Sequence, residues 1–312
     1  MKKVFLIFVF LQIGIFAFSQ VDTVLVNGYF EKALSFEKAK QADSAIIFYD
    51  KTISLCQHAE LLSAAKIWAT EKHLDCLNKE TQIFIDKRKF DKALILTDSV
   101  IVIGKKAQGD STGLAATAYD NRGTIYINKS SFDKSLENYL ISLSIRMKLY
   151  GEKSVEVALT YNNIGNVYNE KGESVKALDY FFKSLEIYKK IFGDKHISVS
   201  KSYNNIGLVY RNKAEYDKAL EYYFKSLEIG RSLFGEKQVE CANSYTNIGT
   251  IYKLKNEFDK ALEYYLLSLS IYKYLFGEKH ILVSSSYLNI GNAYSNKQEY
   301  DLALKYYLKA LK

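Results

Sequence analysis

Five glycines, Gly123, Gly165, Gly207, Gly249 and Gly291, follow one another at intervals of 42 residues, and each closes a Tyr-x-Asn-x-Gly string: YDNRG, YNNIG, YNNIG, YTNIG and YLNIG. Two further landmarks keep the same interval. One is an aromatic-Asp-Lys-(Ser/Ala)-Leu string at Phe132, Tyr216 and Phe258, loosened to Tyr-Asp-Leu-Ala-Leu at Tyr300. The other is Gly-(Glu/Asp)-Lys at Gly151, Gly193, Gly235 and Gly277. A fixed period of this length excludes a single irregular core. It points to a row of small units, each of which buries its apolar face against its neighbours.

Each unit reads as two helices. In the copy from Ser200 to Leu233, Tyr203, Ile206, Gly207 and Tyr210 fall at i, i+3, i+4 and i+7, one face of a helix. Arg211 to Glu215 is polar and breaks that stripe. Asp217 then stands where a second helix starts, an acid suited to the positive end of the helix dipole. Ala219, Tyr223, Ser226 and Leu227 carry the buried stripe of this second helix, and Gly235 is placed to end it in a left-handed conformation. The small residues recur in register: Gly123, Gly165, Gly207, Gly249 and Gly291 on the first helices, Ala177, Ala219, Ala261 and Ala303 on the second. Two helices approach closely only where side chains are small, and large tyrosines fill the space beside those points. The chain has no Pro, which is compatible with helix nearly throughout.

The spacing of Tyr203, Ile206, Gly207, Tyr210, Ala219, Tyr223 and Ser226 resembles the tetratricopeptide (TPR) pattern of aromatic, Leu, Gly, Tyr, Ala, aromatic and Ala. The long unit and its connectors, Gly193-Asp194-Lys195-His196 and Gly277-Glu278-Lys279-His280, resemble the kinesin-light-chain-like subtype. That subtype usually has Pro after the His, where this chain has Ile197 and Ile281, which leaves the start of the next helix less sharply defined. The resemblance implies an all-α, right-handed α-solenoid of about seven helical hairpins. Five regular ones span 116–312, the last of them incomplete. Two degenerate ones lie in 20–115, carried by Tyr29, Ala33, Phe36, Ala45 and Tyr49 and then by Phe84, Phe90 and Ala93. The interval from Ala45 to Ala93 is 48 residues, so the second hairpin is expected to hold an insertion, a longer first helix through Trp68. Solenoids normally end in a polar capping element, and none follows here. The expectation is a fragment of a longer product or an end that docks.

The first residues read differently. Lys2 and Lys3 precede an apolar run from Val4 to Phe18, with Ala17 and Ser19 before Gln20, the pattern of a secretory signal peptide occupying 1–19. Export to a periplasm or the medium follows, with an uncleaved N-terminal membrane anchor as the alternative. No later stretch is apolar for long enough to span a bilayer. The formal charge of +8 comes from 43 basic and 35 acidic residues mixed along the chain, without the basic cluster that tracks phosphates, so nucleic acid is not an expected partner. Catalytic strings such as a phosphate loop, His-Glu-x-x-His or Gly-x-Ser-x-Gly do not occur, and neither an enzyme nor a cofactor is expected. Cys56-Gln57-His58 and His73-Leu74-Asp75-Cys76 are the one set of metal-capable residues, but their spacing is no recognised zinc pattern, and ordinary core or surface residues are the better reading.

What remains is a surface. In a TPR stack the first helices line the concave face, and here that face carries columns. Asn121, Asn163, Asn205, Asn247 and Asn289 form one; Asp120, Asn162, Asn204, Thr246 and Leu288 form its neighbour. Thr124, Asn166, Leu208, Thr250 and Asn292 follow one turn on. Two readings stand for the Asn columns. The amides stitch neighbouring repeats together, or, since each offers donor and acceptor, they hold the backbone of an extended peptide. The resemblance favours a protein or peptide ligand, bound by Asn121, Asn162, Asn163, Asn166, Asn204, Asn205, Asn247, Asn289 and Asn292. Only Lys201 and Arg211 are basic on this face, so selection for acidic C-terminal tails is not expected. The alternative function is a ligand-sensing exported region of a bacterial signalling protein, cut before a membrane helix and its output domain.

Overall fold

A computed structural model describes residues 20–39, 41–55, 63–108 and 112–311. The segment read as a signal peptide and the Cys56-Gln57-His58 string lie outside them. Among the described residues there are fourteen α-helices and no strand: α1 (Gln20–Lys38), α2 (Ala42–Leu55), α3 (Ser63–Asp86), α4 (Phe90–Gln108), α5 (Gly113–Asn128), α6 (Phe132–Tyr150), α7 (Val155–Glu170), α8 (Ser174–Phe192), α9 (Ile197–Asn212), α10 (Tyr216–Phe234), α11 (Val239–Leu254), α12 (Phe258–Phe276), α13 (Ile281–Asn296) and α14 (Tyr300–Ala310). They belong to two compact units, divided between Glu152 and Lys153. In each unit a first helix packs on the second helix of its own hairpin, and that second helix packs on the first helix of the next. This is the all-α hairpin stack that the period implied. From α5 onward the first helices are 16 residues long and the second 19, apart from the 11-residue α14, whereas α3 runs for 24 residues through Trp68.

Helix starts are fixed without proline. The side chains of Thr112 and Ser154 accept the backbone N–H of Ala115 and Val157. Histidine does the same work in the connectors: His196 Nδ1 accepts from Ser198 N at 3.2 Å and His280 Nδ1 from Leu282 N at 3.3 Å. Each imidazole is pinned by stacking on the preceding helix end, His196 on Phe192 with centroids 3.9 Å apart and His280 on Phe276 at 4.3 Å. The capping bond satisfies one of the N–H groups that a helix start leaves unpaired, so the missing Pro costs no definition here. The second helices stop at Gly193, Gly235 and Gly277, with φ of 78, 80 and 78° and ψ of 174 to 178°. These are positive φ values as expected, but with an extended ψ, a region essentially reserved for glycine.

The hairpin depends on one contact. A Cβ built on Gly123, Gly165, Gly207, Gly249 or Gly291 would lie 2.6 to 2.9 Å from the ring of Tyr139, Phe181, Tyr223, Tyr265 or Tyr307 respectively. Each ring therefore lies flat against bare backbone, and those of Phe181, Tyr223 and Tyr265 are at most 1% exposed. The ring hydroxyls then need partners, because an unpaired buried polar group is costly. The column Thr124, Asn166, Leu208, Thr250 and Asn292 supplies them. Tyr139 Oη meets Thr124 Oγ1 at 2.9 Å, Tyr265 Oη donates to Thr250 Oγ1 at 3.2 Å, and Tyr307 Oη donates to Asn292 Oδ1 at 2.8 Å. One hairpin carries Phe181, which has no hydroxyl, beside Asn166. The next carries Tyr223 beside Leu208, and its buried hydroxyl has no hydrogen-bond partner. Burial pushes that phenol up to about 12.

Three stability outcomes follow from these contacts. Gly207→Val must displace the buried Tyr223 ring and is expected to lower stability by about 1–3 kcal/mol in urea unfolding, as overpacked cores do. Tyr223→Phe removes an orphan hydroxyl and should leave stability unchanged or raised, whereas Tyr265→Phe, which deletes the bond to Thr250 Oγ1 and leaves that hydroxyl only its own bond to the Thr246 carbonyl at 2.8 Å, should lower it by roughly 0.5–1.5 kcal/mol. Ala214 occupies the tight turn between α9 and α10 at φ 57°, where the preceding hairpin has Gly172 at 77°. Left-handed backbone costs a residue with a Cβ about 1–2 kcal/mol, and glycine's extra chain entropy offsets part of that. Ala214→Gly is thus expected to raise the thermal midpoint.

Candidate functional site

The asparagine columns stand on α5, α7, α9, α11 and α13, and their asparagines other than Asn292 are half-buried, while Asp120 is buried and Leu288 exposed. In the second unit the amides of the two adjacent columns bond across successive first helices. Asn205 Nδ2 donates to Asn162 Oδ1 at 2.8 Å, and Asn247 Nδ2 donates to Asn204 Oδ1 at 2.8 Å. Two turns further along, Asn212 Nδ2 donates to Asn169 Oδ1 at 3.0 Å. In the first unit Asn121 Nδ2 donates to Asn78 Oδ1 at 3.4 Å, and Asn78 in turn donates to the Leu114 carbonyl at 3.1 Å. Asn78 belongs to the ladder although the repeated string does not mark it. It lies 42 residues before Asp120, so counting back one period finds it even though no Tyr-x-Asn-x-Gly string surrounds it.

The ladder has an end. The residue in register to accept from Asn289 is Thr246, whose hydroxyl donates to the Ala242 carbonyl at 3.0 Å and meets Ser268 Oγ at 2.7 Å. Asn292 is exposed and engaged with Tyr307, while Asn166, beside the hydroxyl-free Phe181, has no such duty. Asp120 breaks the amide pattern in another way. Its Oδ2 lies 2.7 Å from Arg146 Nη2, both side chains being nearly inaccessible. Burial pushes the Asp120 carboxyl up to about 6, against the pull of Arg146 and of the nearby Ser142 hydroxyl. The columns thus combine two kinds of inter-helix link, neutral amide pairs and one buried ion pair.

The linking bonds do not exhaust the amides. An amide pair held by one hydrogen bond uses one of four N–H groups and one of two oxygens. The bond also fixes which way each amide turns. What remains is a row of oriented donors and acceptors on a face whose basic residues are few: the exposed Lys201, the half-buried Arg211 and, one period after it, the half-buried Lys253. Elsewhere His73 is buried with Nδ1 2.9 Å from Asp50 Oδ1. Cys76 and Cys241 are buried free thiols, the former pushed up to about 11 by burial. Among the described residues no group of three His, Cys, Asp or Glu side chains is placed to hold a metal, and no helix is long and apolar enough to cross a membrane.

Known proteins agree with this geometry. Solved structures that share the fold include the following three. BtubC (BKLC) from P. vanneervenii is 20% identical with a TM-score of 0.58 over 74% of this chain and 91% of its own. A Podosopora anserina putative kinesin light chain with nearly identical TPR-like repeats is 14% identical, with a TM-score of 0.56 over 70% and 98%. The apo form of RapI is 21% identical, with a TM-score of 0.61 over 92% and 75%. No curated protein matches the chain. The tetratricopeptide-repeat model matches residues 114–190, 156–231, 198–274 and 257–312, more than half of the sequence. With its glycine-ring hairpins and 42-residue register, this chain belongs to the tetratricopeptide-repeat family.

Proposed function

We propose that the protein is a non-enzymatic scaffold that holds an extended segment of a partner protein along the amide-bearing face of its first helices. The observation that carries the reading is the pairing of Asn205 with Asn162 and of Asn247 with Asn204. Pairing orients the amides before any ligand arrives, which lowers the ordering cost of binding, and it leaves donors and acceptors of both kinds. A peptide backbone presents both kinds at every residue, whatever its side chains. Asn121, Asn163, Asn166 and Asn289 extend the same chemistry along the columns. The scarcity of cations favours internal peptide segments over free carboxyl termini. The exported location belongs to the same proposal and rests on Lys2, Lys3 and the Val4–Phe18 run.

The experiment compares wild type with the Asn163→Ala/Asn205→Ala/Asn247→Ala variant on an array of peptides, each in free-acid and amidated form. The variant is expected to stay folded, with stability reduced by about 1–3 kcal/mol for two lost amide bonds. Its affinity for the peptides that wild type captures should fall at least tenfold, and amidation should make no difference. An intact fold with unchanged affinity would reduce the ladder to a purely connecting role. Binding governed by the free carboxylate would overturn the neutral-face reading.

A further inference from the structure

Four of the five regular hairpins build the same aromatic stack. Tyr168 on Tyr180, Tyr210 on Tyr222, Tyr252 on Tyr264 and Tyr294 on Tyr306 all lie with centroids 5.5 Å apart and planes within 17° of parallel. A second first-helix tyrosine tilts against the same ring: Tyr161, Tyr203, Tyr245 and Tyr287 stand 5.8 to 6.1 Å from it. The hairpin of α5 and α6 keeps both first-helix rings, as Tyr119 and Tyr126, and loses the one between them. In its place is Asn138, whose Nδ2 folds back onto the Lys134 carbonyl of its own helix at 2.7 Å.

The missing ring leaves a cavity of about 240 Å³ bounded by Tyr119, Tyr126, Asn138 and Ile141. Drug-sized sites run from roughly 300 to 1,000 Å³, so this one has room for a single ring. A second departure lies beside the first. The other four hairpins place Ile164, Ile206, Ile248 and Ile290, all fully buried, where this one has Arg122. Arg122 lines the cavity. One end of its guanidinium is held by Asp98, Nη1 to Oδ1 at 2.9 Å, while Nε is buried without a hydrogen-bond partner. Lys134 keeps the position of its counterparts Lys176, Lys218 and Lys260, 5.6 Å from the Tyr126 centroid. Glu137 also lines the cavity, so the slot is not a simple anion site.

From this we infer a small-ligand site: the slot of the α5–α6 hairpin binds one aromatic ring that carries a hydrogen-bond acceptor, the ring stacking on Tyr126 and the acceptor taking the Nε–H of Arg122. A neighbouring acceptor would satisfy the buried Nε–H that the fold leaves unpaired there, and ring stacking would supply the contact that every other regular hairpin makes internally. A free aryl carboxylate and an aromatic residue of a peptide, with its own carbonyl, share this chemistry. The site does not depend on the amide ladder.

Calorimetric titration of the full chain with 4-hydroxyphenylacetate, N-acetyltyrosinamide and cyclohexylacetate tests it. The two aromatic probes are expected to bind saturably and the cyclohexyl probe at least tenfold more weakly. Asn138→Tyr, which rebuilds the internal stack, should abolish binding while leaving helicity intact. Arg122→Ile should weaken the acid at least fivefold. Preference for the acid identifies a free aryl carboxylate as the ligand class, and equal or better binding of the amide identifies a peptide-borne ring. Should Asn138→Tyr not fold, Tyr126→Leu replaces it and must lower affinity for both aromatic probes at least fivefold. The inference is overturned if no aromatic probe saturates below about 10 mM, if the cyclohexyl probe binds as well, or if the stack-restoring variant binds like wild type.

Discussion

Every regular hairpin rests on an aromatic ring pressed against a glycine that has no room for a methyl group. The contact fixes the separation of the two helices, and that separation decides which residues of one hairpin reach the next. Tyr223 packs on Gly207 within a core that continues through Tyr245, Ile248 and Tyr265 into Val283 and Ile290. Moving the ring would shift the surface on which the following first helix sits. The same ring dictates what stands across from its hydroxyl, which is why a column of Thr and Asn on the first helices answers to the tyrosines of the second. Where the answer is Leu208, the structure carries an unpaired hydroxyl.

The degenerate hairpins meet the same constraint differently. At the glycine and ring positions of the α3–α4 hairpin stand Thr81 and Thr97, both fully buried. Two medium side chains fill the space that a ring and bare backbone fill elsewhere. Thr81 returns its hydroxyl to the Leu77 carbonyl at 2.8 Å and Thr97 bonds the Leu94 carbonyl at 2.8 Å, so neither leaves a polar group stranded. The α1–α2 hairpin pairs Ala33 with Tyr49. A filled contact between the two helices, not residue identity, is what the positions preserve.

That difference explains what was legible in the sequence. The hairpins from α5 onward could be read directly, because Gly, Tyr and Ala at fixed positions are the visible trace of close packing. Asn78 could be reached only by counting one period back from Asp120, since Thr81 and Thr97 erase the landmarks around it. The two readings of the asparagine columns could not be separated from sequence either. An amide that bonds its neighbour and one that awaits a ligand have the same identity and spacing. Only the fold turns Asn205 toward Asn162, and the same pairing leaves part of each amide over. Conversely, the tight turns were expected to be merely polar, whereas Ser130, Ala214, Asn256 and Gln298 all adopt positive φ, a requirement that Gly172 alone announces in the sequence.

The amide ladder has a consequence for how such a chain can change length. Each rung joins an oxygen in one hairpin to an N–H 43 residues later, and successive rungs are chemically interchangeable. Excision of a whole period around α9 and α10 would bring Asn247 opposite Asn162, which offers the same oxygen as Asn204, and the ring-on-glycine contacts on either side would close unchanged. The excised block would take Tyr223 and Leu208 with it. Length in this molecule is therefore quantised: a block of 42 residues is a small perturbation, while a gain or loss of one residue inside a helix throws every later rung out of step.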